Sequence, residues 1–196
     1  HIVYKNFLNS MKPYLSCEKI KEVYESAGVY YRDNGFRMDA LRVFYKAGNF
    51  TEFLLALSLD IINPTSNSNE LLGMLTGLPS DYLSRINVQV WTACMLVNDL
   101  RFDDAKRILL KLIEEHDKEQ LDNDTLRRYL GEVYMVLGDI SILQSTTDGI
   151  SYIRRAVELI PEGSKIKYRN FFIAKQNDVF FLPEHSPGSL ERTVEY

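Results

Sequence analysis

Apolar and aromatic residues recur at three- and four-residue steps along most of the chain, the spacing of amphipathic helices. The pattern predicts a short helix after Ser80-Asp81 and longer helices over residues 18–34, 37–47, 50–62, 69–76, 87–98, 103–116, 124–137 and 150–160. No segment shows sustained alternation of apolar and polar residues, so we expect no sheet beyond a short strand at the N-terminus. The sequence therefore predicts an all-α fold.

Tight turns pair these helices into antiparallel hairpins, the first of them around Asn34-Gly35. Small and aromatic residues of this hairpin follow the tetratricopeptide (TPR) spacing. They are Tyr24, Ala27, Gly28, Tyr31, Ala40, Phe44 and Ala47. Two helices that cross closely need small residues at Gly28 and Ala40, with Tyr31 and Phe44 filling the space beside them.

The same spacing returns twice, at irregular intervals along the chain. The second set is Ala93, Leu96, Ala105, Leu109 and Leu112, and the third is Leu130, Gly131, Tyr134, Ala156 and Ile160. We therefore predict that residues 18–163 form irregular TPR-like hairpins stacked as a superhelical solenoid. Residues 164–196 are interpreted as a helix, a Pro-containing loop and the truncated start of a further repeat.

Composition narrows the function classes. The 196 residues carry a net charge of −4, and 45% of them are hydrophobic, which suits a folded domain without the basic excess that phosphate contacts need. No nucleic-acid contact is expected from this segment. The absence of a long apolar run and of a signal-peptide pattern indicates no membrane contact and a cytoplasmic location. There the two cysteines, Cys17 and Cys94, would stay reduced.

The sequence contains no recognisable motif for catalysis, metal binding or nucleotide binding. The histidines, at positions 1, 116 and 185, lie far apart, and none pairs with a Cys or carboxylate at metal-ligand spacing. There is no GxSxG elbow and no GxxxxGK[ST] loop. We expect a non-enzymatic protein with no catalytic, metal or cofactor site, although one sequence leaves a spatial triad open. The many Tyr and Phe residues either line a ligand groove or fill the core between hairpins. Periodicity assigns Tyr24, Tyr31, Phe44, Trp91 and Tyr134 to packing.

Binding residues in helical repeats usually occupy exposed positions of the first helix in each hairpin, which form a concave wall. Counted from the matched positions, these candidates for ligand or partner binding are Glu25, Val29, Arg32, Val90, Cys94, Val97, Arg128, Glu132 and Met135. They mix charged and apolar side chains, as a peptide or partner-protein groove would.

Five stretches occur in an order that resembles one family, the large ATP-dependent LuxR-type regulators, which include the maltose-regulon activator. They are HIVYKNFL at 1–8, VYYRDNG at 29–35, DALRVFYKAGNF at 39–50, ELLGMLTGLPSDYL at 70–83 and TACMLVNDLRFDDAKRILLKL at 92–112. The resemblance covers nearly two thirds of the chain and weakens beyond Glu119. It implies that residues 1–17 are the end of a preceding winged-helix region and a linker.

The resemblance also implies a role. The parent regulator would carry an N-terminal ATPase that binds ATP and a C-terminal helix-turn-helix, while this helical segment receives a small-molecule inducer or a regulatory protein and contacts the other domains. A chain that starts without Met and ends in the amphipathic run SLERTVEY is expected to be such a segment, and its cut end favours a homodimer. The alternative is a stand-alone TPR-like adaptor with no role in transcription.

Overall fold

A computed structural model of the chain describes residues 15–57, 68–116 and 123–166. The regular structure of these residues consists of nine helices without a strand, which confirms the predicted all-α class. The chain divides into two compact units, residues 1–58 (unit 1) and residues 59–196 (unit 2).

Unit 1 contains a helical hairpin followed by a short third helix. The three helices are α1 (Cys17–Asp33), α2 (Arg37–Ala47) and α3 (Phe50–Ala56). The Ser16 hydroxyl starts α1 by accepting a hydrogen bond from the backbone N–H of Lys19 at 3.2 Å. Gly48 ends α2 in the left-handed conformation, at a φ of +68°, which residues with a β-carbon rarely adopt.

The crossing of α1 and α2 depends on Gly28. A β-carbon at this position would lie 2.6 Å from Cδ1 of Phe44, well inside van der Waals contact. Phe44 and Ala40 are both fully buried in the hairpin. The sequence pattern assigned small residues to positions 28 and 40 for close helix packing, and the structure confirms that assignment.

Unit 2 contains the other six described helices. They are α4 (Ser68–Thr76), α5 (Ser80–Leu83), α6 (Ile86–Asn98), α7 (Phe102–His116), α8 (Asp124–Leu143) and α9 (Gly149–Leu159). α6 lies against α4, α7 and α8, and α8 also packs on α7 and α9. These contacts leave α6 and the middle of α8 enclosed by other helices.

Glycines also set the crossing of α8 and α9. A β-carbon on Gly131 would lie 2.6 Å from Cγ2 of Ile160, and one on Gly138 would lie 2.6 Å from Cγ1 of Ile153. The sequence predicted that α8 ends near Leu137, before Gly138. That prediction is wrong, because Gly138 serves the helix crossing and α8 continues to Leu143.

Three hairpins are present: α1 with α2, α6 with α7, and α8 with α9. Their stacking into one superhelix would run across both units, so it stays a prediction. The helix predicted over residues 50–62 is described only to Ala56, and residues 58–67 lie outside the described part. Residues 1–14 and 167–196, which contain most of the two predicted flanking segments, also lie outside it.

Candidate ligand-binding groove

An open groove lies along the hairpin of unit 1, beside the end of α1 and the start of α2. Its volume is about 810 Å³, within the range of small-molecule binding sites. The described residues that line it are Val23, Ser26, Ala27, Tyr30, Tyr31, Phe36 and Asp39. The lining is thus mainly apolar and aromatic, with one carboxylate, which suits a ligand that combines apolar surface with a polar group.

Two aromatic side chains of the groove are open to solvent: Tyr30 is 61% exposed and Phe36 is 54% exposed. Tyr30 lies near the end of α1, and the turn between α1 and α2 positions Phe36. Gly35 takes a φ of +79°, and the backbone N–H of Phe36 then donates to the carbonyl of Tyr31 at 2.8 Å. Local turn geometry, rather than burial, therefore places the ring of Phe36.

The rings meet at large angles. The centroids of Tyr30 and Tyr31 are 5.8 Å apart with 66° between the ring planes, and those of Tyr31 and Phe36 are 6.3 Å apart at 87°. Both are edge-to-face arrangements, which aromatic quadrupoles favour. Asp39, at the start of α2, accepts a hydrogen bond from Nη1 of Arg42 at 2.9 Å, which fixes its carboxylate at the groove.

The three binding residues predicted on α1 lie outside this lining. Nδ2 of Asn49 donates to Glu25 Oε1 at 3.0 Å, and Arg32 forms ion pairs with Asp33 and Glu52. The hydrogen bond with Asp33, together with Glu52, raises the pKa of Arg32 above its ordinary value. Glu25 and Arg32 thus tie α1 to the start of α3, and Val29 is partly exposed.

Val90, Cys94 and Val97 were predicted to be exposed on a concave wall, and that exposure is wrong. All three are buried, because α6 is enclosed by α4, α7 and α8. The repeat pattern treated α6 as an outer helix with one free face. Its composition carries a different signal, since apolar residues occur on every side of α6 and indicate a helix buried all round.

Of the three candidates on α8, two are buried. Met135 lies in the core that α8 forms with α9, and the Glu132 carboxylate is 2% exposed. Arg128 stays partly exposed and pairs with Glu162 at 3.8 Å. The exposure predicted for Glu132 and Met135 is therefore wrong, because α7 and α9 cover this part of α8.

Polar groups lie inside unit 2, around Cys94. Burial raises the pKa of the Cys94 thiol well above its ordinary value, and the nearby carboxylates of Glu132 and Asp139 raise it further. The side-chain amide of Asn98, one turn further along α6, is buried and makes no hydrogen bond. A thiol in this environment stays protonated, so Cys94 is a poor nucleophile. Cys17 is also a free thiol, at the exposed start of α1.

A second groove, of about 540 Å³, lies on unit 2 between α4 and the α6–α7 hairpin. Its polar side is an ion-pair cluster in which Arg101 and Arg107 share the carboxylate of Asp104. The hydrogen bond from Arg101 is the main reason that the pKa of Asp104 is lowered, with Arg107 adding to the effect. These charges satisfy one another at the surface, so this groove offers a ligand less than the aromatic groove of unit 1 does.

Sequence reasoning missed Tyr30 and Phe36 as site residues. Trp91, Phe44 and Tyr134 are buried, which confirms their assignment to packing, whereas Tyr24 and Tyr31 are only half-buried and Tyr31 also lines the groove. The sequence did contain a signal that these aromatic residues are exposed. Val29, Tyr30 and Tyr31 are consecutive, so they cannot all face one core, and Phe36 directly follows the glycine turn.

Within residues 15–57, 68–116 and 123–166, no cluster of three His, Cys, Asp or Glu side chains is arranged to hold a metal ion. His1 and His185 lie outside these ranges. None of the described helices combines the length and apolar character needed to cross a membrane. Comparison of the chain with protein-family models, with curated proteins and with solved structures found no match.

Proposed function

We propose that this chain is the signal-sensing and protein-interaction segment of a cytoplasmic LuxR-type, ATP-dependent transcription regulator. The observation that carries the proposal is the aromatic groove of unit 1. Tyr30 and Phe36 keep more than half of their surface exposed beside a volume of about 810 Å³. Exposed aromatic surface of this kind is typical of a binding site, because rings contribute contact area at a low cost in conformational entropy.

The close helix crossings support the TPR-like part of the proposal. Gly28 against Phe44 and Gly131 against Ile160 are small-to-large contacts at positions that the repeat pattern singled out. Stacking of the three hairpins into a superhelical arm is part of the same proposal. Such an arm would present the groove of its first hairpin to a small-molecule inducer, to a regulatory protein, to other domains of the regulator or to a second copy of the chain.

Binding would act by population shift. ATP hydrolysis and DNA contact belong to the other parts of the proposed regulator, and this chain contributes the differential affinity of its groove for the signal. A ligand that binds one arrangement of the arm more tightly shifts the equilibrium toward that arrangement by the ratio of the two affinities.

Thermal unfolding against a panel of small metabolites tests the binding role. We expect a ligand to raise the melting temperature of the 196-residue chain, and to lose that effect in the double variant Tyr30→Ser/Phe36→Ser. Leu55→Ser is the matched control, since Leu55 is 59% exposed on α3 of the same unit but lies outside the groove lining. A ligand shift that survives in the double variant would contradict the assignment of the site.

The coding sequence on either side of these residues tests the link to transcription. We expect a phosphate-binding loop upstream and a helix-turn-helix downstream. If both are missing from the full reading frame, the regulator proposal fails, and the stand-alone TPR-like adaptor becomes the better explanation of the same groove.

A further inference from the structure

The lining of the aromatic groove has a charge preference. Aromatic faces carry partial negative charge from the ring quadrupole, and Tyr30, Tyr31 and Phe36 bring three rings to one surface. Asp39 is the one charged side chain among the described lining residues, and it is acidic; none of these residues is Lys or Arg. An anion placed here would meet repulsion from the Asp39 carboxylate and from the aromatic faces, without a cationic side chain in the lining to offset it.

We propose that this groove binds a small organic cation with an alkylated ammonium group. The inference rests on the proposed function and names the chemical class of its ligand. Tyr31 packs edge-to-face with both Tyr30 and Phe36, with 66° and 87° between the ring planes and centroids 5.8 Å and 6.3 Å apart. Because Tyr30 and Phe36 are more than half exposed, a cation in the groove can approach their rings to within about 6 Å, the distance over which cation–π attraction acts.

Asp39 adds to the selectivity without dominating it. Its carboxylate pairs with Arg42, and the two side chains are 24% and 30% exposed, respectively. Arg42 therefore offsets part of the negative charge of Asp39, and the rings supply most of the preference for a cation. Because the rings contribute more to the preference than the carboxylate does, the groove favours an alkylated ammonium group. Such a group sheds water more easily than a primary amine and fits apolar walls such as Val23 and Ala27.

The dimensions favour a small molecule over a protein side chain. A volume of about 810 Å³ accommodates a whole small ligand, including an apolar body beyond its ammonium group. The exposure of Tyr30 and Phe36 gives that body direct access from solvent.

Choline and its uncharged analogue 3,3-dimethylbutan-1-ol test the inference, because a carbon replaces the nitrogen in an otherwise matched shape. In NMR titrations of the 196-residue chain, we expect choline to bind about ten-fold more tightly, since a cation–π and carboxylate contribution of this size corresponds to about 1.4 kcal/mol. Equal affinities would overturn the cation preference. Metabolite binding that is lost in Tyr30→Ser/Phe36→Ser would then still support the proposed function, so the two failures are distinguishable.

Leucine variants separate ring charge from hydrophobic contact. Phe36→Leu and Tyr30→Leu keep apolar surface but remove the quadrupole, so each should weaken choline binding several-fold and leave the alcohol unchanged. Phe50→Leu is the matched control, because Phe50 pairs with Tyr45 in the same unit and lies outside the groove lining. Asp39→Asn should weaken choline by a smaller factor.

Two further results would overturn the inference. One is unchanged choline affinity in Phe36→Leu and Tyr30→Leu. The other is binding of a trimethyllysine peptide by a chain that fails to bind choline, which would indicate a protein partner in place of a small molecule.

Discussion

The carboxylate of Glu132 accepts a hydrogen bond from the backbone N–H of Lys165 at 2.7 Å, joining the middle of α8 to the chain segment that follows α9. The hydroxyl of Ser164 donates to the other carboxylate oxygen. Glu132 is 2% exposed, whereas Ser164 and Lys165 are partly exposed, so the carboxylate is the buried side of these contacts. The carboxylate therefore closes the end of the α8–α9 hairpin by holding residues 164–166 against it.

Removal of this carboxylate should destabilise unit 2. In Glu132→Ala, the N–H of Lys165 loses its charged acceptor in a partly buried setting, which costs about 1.5–3 kcal/mol of unfolding free energy. Urea unfolding followed by circular dichroism measures the change. Glu158→Ala is the control, because Glu158 on α9 is exposed and pairs only with nearby Arg155 among the contacts described; its effect should stay below about 0.5 kcal/mol. Equal losses would contradict the role given to Glu132.

Gly28→Ala should destabilise unit 1. The added methyl group would lie against the ring of Phe44, and such overpacking costs about 1–3 kcal/mol. Gly73→Ala is the matched control, since a β-carbon on Gly73 in α4 meets no atom within 4 Å. That variant should stabilise the chain by about 0.5–1 kcal/mol through its higher helix propensity. Thermal unfolding compares the two, and a neutral Gly28→Ala would show that the crossing tolerates a side chain.

The two cysteines should differ in reactivity. At pH 8, Cys17 is an exposed thiol, whereas the raised pKa and burial of Cys94 keep it protonated and out of reach. We expect Ellman's reagent to modify Cys94 on the order of 100-fold more slowly than Cys17 in the native chain. Cys17→Ser isolates the slow thiol, and denaturation in urea should make the two rates similar. Rapid native modification of Cys94 in Cys17→Ser would contradict the buried site.

Asp104 should titrate below the ordinary carboxyl range. Nε and Nη2 of Arg101 donate to its Oδ2 at 3.0 Å and 2.7 Å, and these bonds lower its pKa in the folded state. A lowered folded pKa means that the ion pair stabilises the fold above the unfolded pKa, and that this contribution is lost as pH falls through the folded value.

NMR titration of the Asp104 carboxyl carbon checks the cause. Because Arg101 has the larger influence, Arg101→Gln should return the pKa further toward its ordinary value than Arg107→Gln does. The reverse order would show that Arg107 controls the carboxylate.

Much of the hairpin architecture was predictable from sequence, because it depends on local signals. The helix end at Gly48 needs only a left-handed residue, and the crossing at Gly28 needs a small residue opposite a large one. Gly138 shows the limit of this reasoning. One sequence does not show whether a glycine ends a helix or allows a neighbouring helix to pack closely. At Gly138, the position of Ile153 in the structure shows that the second case applies.

Exposure was predicted less well, because it depends on which helices cover a face. The repeat spacing predicted that Val90, Cys94 and Glu132 occupy exposed positions of the first helix in their hairpins, but it did not predict that neighbouring helices would cover those positions. The exposure of the groove residues was missed for a different reason. Phe36 stays exposed where a short turn places its ring, and helical periodicity does not describe a turn, whereas Tyr30 is exposed near the end of α1.

The burial of α8 has a consequence for how unit 2 opens. Every residue from Leu130 to Ser141 is buried, so no partial loosening at the surface gives water access to the middle of this helix. Its amide hydrogens should therefore exchange with deuterium only when the whole unit unfolds, while those of the exposed turns exchange first. The exchange rates of the slowest α8 amides would then give the free energy of global unfolding of unit 2.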